Sequence, residues 1–273
     1  MTDATDHLAP ALIAWQAEHD GIARANLGAF TTLGRAILAG AYFGLAMVLV
    51  TIVASFGDMP FGVTRLLQGV VFVAGVIPII VAKAELFATP ETIVACLSGQ
   101  APAGKVLAHE AIVYVGNALG AVVVAVAAFG GIQGRPLAAW AVLTAAADKG
   151  SLGFVQAIAL GVVCNSLICL AFWLCYDAQS AAGKALAALF PVAAAVAIGF
   201  EHSIANLFTF AFAFLAQVFG TGGAAGAVSV HMPASSWPHF LLSNLAPVTL
   251  GNLLGASLVG LAFWLTYCRR WKR

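Results

Sequence analysis

Charge is what this sequence has least of. Only 8% of its 273 residues are charged, twelve Lys or Arg and eleven Asp or Glu, against roughly 25% in a typical soluble domain. So few charged side chains cannot clothe a soluble surface on a chain of this length. A formal net charge of +1 leaves no basic footprint for nucleic acid. Disorder is excluded by a hydrophobic content of 62%, which is far above what an unfolded chain carries. Cysteine is also scarce. The five residues Cys96, Cys164, Cys169, Cys175 and Cys268 lie in or at the edges of apolar runs, without metal spacing, and read as packing residues. A secreted disulfide scaffold is thereby excluded. No Walker loop, Gly-x-Ser-x-Gly elbow, dinucleotide fingerprint or metal-spaced His pair occurs, so an enzyme has no positive support and no cofactor is expected. Residues 1–20 carry Asp3, Asp6, Glu18 and Asp20 with no base before Arg24, which does not read as a signal peptide.

What the chain does have is long apolar runs without the alternation of barrel strands. A spanning helix needs about 20 apolar residues, and a backbone in hydrocarbon must satisfy its own hydrogen bonds. The expectation is an all-α integral membrane protein with six transmembrane helices. The spans read as Ala36–Gly57, Leu66–Ala82, Ala111–Gly134, Gly150–Tyr176, Ala185–Phe200 continuing through Ser203–Phe219, and Phe240–Cys268. Gly220–Pro238 and the stretch between Gly130 and Lys149 read as loops. Residues 1–29 form a cytoplasmic N-terminal segment with an amphipathic helix that sets Leu8, Leu12 and Trp15 on one side. It is expected against the membrane face or a neighbouring subunit. Residues 30–268 form one channel domain, and 269–273 a basic cytoplasmic tail. Near the span ends, eight Lys and Arg share the side of the termini and three (Arg65, Arg135, Lys149) the other, which places both termini in the cytoplasm.

The two halves, about 30–134 and 150–268, repeat. Gly116-Asn117-Ala118-Leu119-Gly120-Ala121 returns as Gly251-Asn252-Leu253-Leu254-Gly255-Ala256. Three spans per half is odd, so the halves run in opposite senses across the bilayer, as inverted repeats do in transporters. Spans two and five correspond, and both are broken at an acid: Lys83-Ala84-Glu85-Leu86-Phe87-Ala88-Thr89-Pro90 and Gly199-Phe200-Glu201-His202-Ser203-Ile204-Ala205-Asn206. Unwound backbone at membrane depth is tolerated only where it lines a cavity or is buried in protein, so the paired breaks point to a transport site.

Within that site His202 is the leading candidate, facing a pore and exchanging a proton or hydrogen bond with a small solute. The bland alternative is a neutral histidine bonded to backbone. Glu85 and Glu201 read as structural carboxylates that cap the free N–H groups of the restarted helices. Lys149 opens span four, either as an ordinary snorkelling lysine or as a fixed charge that draws anions. Asn117, Asn165, Asn206 and Asn252 are amides in apolar spans that need partners across helices. His109, Glu110, His231 and His239 read as solvated ends.

The segment Gly199–Asn206 closely resembles the signature of the formate/nitrite transporter family. Ala84–Phe87, Gly116–Gly120, Cys164–Ala171 and Pro247–Asn252 agree with it in order and spacing, over about residues 25–268. The resemblance implies an aquaporin-like protomer, a homopentamer with one pore per protomer, and a multi-pass place in a bacterial-type inner membrane. It implies pore or substrate roles for His202, Lys149, Thr89, Asn165 and Asn206. Constriction roles follow for Leu86, Phe87, Phe72, Val76, Ala195 and Phe200. Two positions depart from the family pattern: Ala88 stands where Thr is usual, with Thr89 one place later, and Ala195 stands where Phe is usual.

The implied function is passage of small monovalent weak-acid anions such as formate or nitrite, linked to protons through the central histidine. The alternative is an anion channel of the same fold, for hydrosulfide, lactate or another small anion, without obligatory protonation. A neutral-solute channel lacks the twin Asn-Pro-Ala motifs. A scaffold without flux leaves the paired breaks unexplained.

Overall fold

The computed structural model describes residues 10–57, 59–132, 136–199, 201–219 and 237–268. All regular structure among them is helical. The order is α1 Pro10–Ala25, α2 Ala29–Ala54, α3 Phe61–Val81, α4 Pro90–Leu97, α5 Ala103–Ile132, α6 Pro136–Gly150, α7 Phe154–Asp177, α8 Ala181–Ala197 and α9 Ser203–Phe219. The last helix, α10, is Pro238–Cys268, with π-turns at Leu241–Leu245 and Trp264–Cys268. α2, α3, α5, α7 and α10 are long and apolar enough to cross a bilayer. α8 and α9 are apolar but shorter, 17 residues each, and lie on either side of the second break.

Both breaks are built alike. α3 and α8 each hold one internal proline, Pro78 and Pro191, which removes a helical hydrogen bond shortly before the break. Each helix then stops at a left-handed residue, Lys83 with φ 49° and Gly199 with φ 83°. Glycine adopts that conformation freely. At Lys83 the stop is held by Ala84 N–H donating to the Ile79 carbonyl at 2.9 Å, the 6→1 bond of a helix C-terminal turn. The chain restarts at Pro90, where a proline's missing N–H costs nothing, and at Ser203.

Asn117 of α5 and Asn252 of α10 hold the two breaks in the same way. The Phe87 N–H donates to Asn117 Oδ1 at 2.9 Å, while Asn117 Nδ2 donates to the Ala36 and Glu85 carbonyls, both at 2.8 Å. In the other half the Ser203 N–H donates to Asn252 Oδ1 at 2.9 Å, and Asn252 Nδ2 to the Gly161 and Glu201 carbonyls, both at 3.0 Å. Each asparagine thus ties a break to the first long helix of its own half. The flanking glycines allow the approach: a Cβ on Gly120 would collide with the Ile37 carbonyl, and one on Gly255 with that of Val162. This is the small-residue helix contact that the bilayer favours. The main apolar core, including Phe43, Phe72, Ile168, Val192, Ile204 and Phe208, lies where the halves meet.

Several sequence expectations need correction. The stretch before Lys149 is helix α6 rather than a loop, so a helix stands between the repeats. The N-terminal helix adds an inward face that the sequence reading did not name, Ile13, Ala14, Ala17, Gly21 and Ala25, while Leu12 and Trp15 stay on its outward side. Its inward face is the small-residue side, because Gly21 packs directly on the Glu91 backbone of α4. α5 starts at Ala103, which takes His109 and Glu110 inside the helix, where both are buried. Of the expected loop Gly220–Pro238, Trp237 and Pro238 are already helical; its residues 220–236 with His231, the 269–273 tail, Leu8 and Phe200 lie outside the described residues.

Candidate functional site

Around each break the acids and amides are linked to one another and to basic side chains, and Glu85 and Glu201 do not cap the restarted helices as expected. At the first break Glu85 Oε2 accepts from Arg24 of α1 at 3.2 Å, with His109 Nε2 at 3.4 Å and Arg35 at 3.8 Å from the same carboxylate. Glu110 instead supports the break itself: its Oε2 accepts the Ala88 N–H and its Oε1 the Thr92 hydroxyl, both at 2.9 Å. Ala88 needs that support because its φ of 58° costs an L-residue about 1–2 kcal/mol. Asn165 Nδ2 donates to the Ala88 carbonyl and to that of Asn252, both at 2.8 Å, and so bridges the two halves. Arg24 is fully charged here. Burial alone would lower its pKa, but the Glu91 and Glu85 carboxylates more than reverse that and raise it.

At the second break Glu201 Oε1 accepts from Lys149 Nζ at 2.7 Å, and its Oε2 from Asn206 Nδ2 at 2.6 Å. Asn206 Nδ2 also meets Asn244 Oδ1 at 2.7 Å, and Asn244 Nδ2 returns to the Lys149 carbonyl at 2.9 Å. The ring Lys149–Glu201–Asn206–Asn244 fixes the lysine at both its backbone and its ammonium. Asn244 was absent from the sequence candidates. It sits fully buried in the π-turn of α10, and π-turns concentrate at functional positions. The signal was available, since it is one more amide in an apolar span.

His202 is 4% exposed. Its Nδ1 accepts the Ile204 N–H at 3.3 Å, which assigns the single proton of the neutral ring to Nε2. Nε2 is buried without a partner among the described residues, which is uncommon for a polar atom. The ring lies 4.7 Å from that of Phe43, which in turn stands edge-on to Phe72 at 4.8 Å.

A cavity of about 260 Å³ opens here, lined by His202, Glu201, Lys149, Phe43, Phe72 and Ala195 among others. It also reaches Arg65, Gln68, exposed Asp148 and Gly199, at the end of α3 opposite Lys83 and α1. Of the sequence candidates, this space brings together His202, Lys149, Glu201, Phe72 and Ala195. Leu86 and Val76 lie in the adjoining core. Phe87 packs against Tyr114 at 4.8 Å, and Thr89 is the buried residue preceding α4. Thr89, Asn165, Asn206 and Asn252 do not line this cavity. A second cavity, of about 340 Å³, lies between α1, α7 and the start of α8, lined by Asp20, Arg24, Lys83, Glu91 and Tyr176 among others. Among the described residues no three His, Cys, Asp or Glu side chains are grouped to hold a metal.

Paired helix breaks, and a largely apolar cavity that carries an ammonium and an imidazole inside an apolar helical bundle, are the features of a multi-pass helical membrane transporter. The comparisons specify it further. The family model described as Formate/nitrite transporter matches residues 11–265, and the chain belongs to that family. It is 35% identical to formate channel FocA of Escherichia coli (strain K12) over 275 residues, 97% of this chain and 96% of that protein. It is 32% identical to formate channel FocA of Haemophilus influenzae, over 89% of this chain and 88% of that protein. Among solved structures it is similar to a pentameric formate channel with formate bound, with a TM-score of 0.80 and 31% identity. That match covers 88% of this chain and 98% of the other. It is also similar to an FNT family ion channel, with a TM-score of 0.76, 26% identity and coverages of 93% and 98%.

Proposed function

We propose that the chain conducts small monovalent weak acids of the formate and nitrite class across the membrane, with passage linked to a proton at His202. The reading includes a homopentamer with one pore per protomer, both termini in the cytoplasm and residues 30–268 as the conducting domain. One observation carries it: a buried imidazole with an unpartnered Nε2 on the same cavity as an ammonium.

A carboxylate anion resists an apolar passage, since desolvating it fully costs on the order of tens of kcal/mol. Lys149 offsets part of that at the cavity. Glu201 takes one of its three ammonium hydrogens, and the others remain for an incoming anion. At rest the imidazole is a hydrogen-bond donor through Nε2. It becomes an acid on taking a second proton from water at Nδ1, giving up the long bond from Ile204. The O–H bond of the neutral acid then forms as the imidazolium N–H bond breaks. The neutral acid crosses the apolar segment at Phe72, Val76 and Leu86 and releases its proton to water on the far side.

The bond at Nδ1 favours a second reading, in which His202 only donates a hydrogen bond and the anion passes unprotonated. Flux into liposomes across a pH gradient separates the two. Wild-type formate uptake rises as the outside is acidified, and His202→Asn or His202→Phe flattens that dependence. A pH dependence unchanged in both variants removes histidine from the proton path.

A further inference from the structure

α3 presents a graded stripe to the cavity. Arg65, Gln68 and Phe72 all line it, at the i, i+3 and i+7 spacing of one helix face. Arg65 lies at the outer end, its guanidinium folded over the backbone of Gly199. Phe72 lies at the inner end, joined through Phe43 to the His202 ring. Between charge and phenyl stands Gln68, which is 7% exposed, with Oε1 buried and unpartnered among the described residues. A buried amide oxygen without a donor is costly. Its fellow unpartnered atom on this cavity is His202 Nε2.

We propose that Gln68 is a specificity-determining residue that receives the protonated acid, a role resting on the proton-linked reading above. A primary amide offers an acceptor and a donor side by side. An acid of the form O=X–OH offers the complementary pair, so two parallel hydrogen bonds form, Nε2–H to the oxo group and O–H to Oε1. A carboxylate or nitrite anion has no hydrogen to give Oε1, and hydrogen sulfide has no oxo group to accept from Nε2. Gln68 therefore favours oxyacids over hydrosulfide, and the neutral form over the anion. The remaining charged groups on the cavity, Arg65, Asp148, Lys149 and Glu201, act on the anion and leave this pairing to the amide.

The test compares formate and hydrosulfide flux in liposomes carrying the full chain, for wild type, Gln68→Met and Gln68→Glu, at two external pH values. Gln68→Met keeps length and removes both hydrogen-bonding groups. The expected result is a formate-to-hydrosulfide flux ratio at least tenfold lower in Gln68→Met. Gln68→Glu is expected to retain more of the ratio at the lower pH, where its own acid pairs with formic acid. An equal fall in both fluxes, or an unchanged ratio with the pH dependence of formate intact, overturns the role of Gln68 alone. Formate flux in the wild type that ignores pH overturns the proton-linked reading and this proposal with it.

Discussion

Replacing Asn252 by alanine removes three hydrogen bonds at once, and the arrangement fixes how much each is worth. The Gly161 carbonyl keeps its helical bond within α7, so its loss is small. The Ser203 N–H and the Glu201 carbonyl sit at the break, where no helical partner exists, and both would be orphaned in the interior. At about 1–3 kcal/mol for each buried unsatisfied group, the expected destabilisation is about 2–6 kcal/mol. Asn117→Ala orphans the Phe87 N–H and the Glu85 carbonyl in the same way, so the two variants should cost similar amounts. The assay is thermal unfolding of the detergent-solubilised protein followed by tryptophan fluorescence, with flux of the surviving protein measured in liposomes. Both midpoints should fall by a comparable margin. The Asn252 variant should lose more flux per folded protein, because its break carries His202. A midpoint unchanged in both variants would refute the claim that these amides hold the breaks.

Asn244→Ala opens the ring that seats Lys149 and should raise the half-saturation concentration for formate several-fold while leaving the folded protein intact. A concentration-dependent flux series checks this. Gly199→Ala places a side chain against Arg65 at a φ of 83° and should destabilise by about 1–2 kcal/mol, read as a lower unfolding midpoint. Arg24→Ala leaves Glu85 buried with a weaker set of partners and should cost about 3–5 kcal/mol. Its first sign should be faster proteolysis within α1, since the Arg24–Glu85 pair ties that helix to the break.

The spans were legible because charge marks their ends, and the breaks because Glu85 and Glu201 interrupt apolar runs that no soluble helix would contain. The repeat was legible in Gly116–Ala121 and Gly251–Ala256, where glycine and asparagine do the same physical work twice. Other elements left no such mark. α4 has eight residues, too few to show a period. α6 lies between glycines and a proline that read as turns, although its Ala and Leu content suits a helix. His109 and Glu110 look like solvated ends until the first break folds back onto them and gives them partners. The inward face of α1 is small rather than apolar, because close approach to α4 decides it, and the Leu12 and Trp15 pattern marks only the outward side. Gln68 and Asn244 escaped notice as single amides on long apolar helices, where only the cavity and the ring give them meaning.

The central claim is that each anion crosses with a proton passed at His202. It is tested most directly by recording formate entry and lumenal pH together in the same liposomes, with the leak of protein-free vesicles subtracted. The account predicts lumenal acidification in step with formate, about one proton per anion, in the wild type and not in His202→Asn. Formate entry that carries current and leaves the lumenal pH unmoved would contradict it.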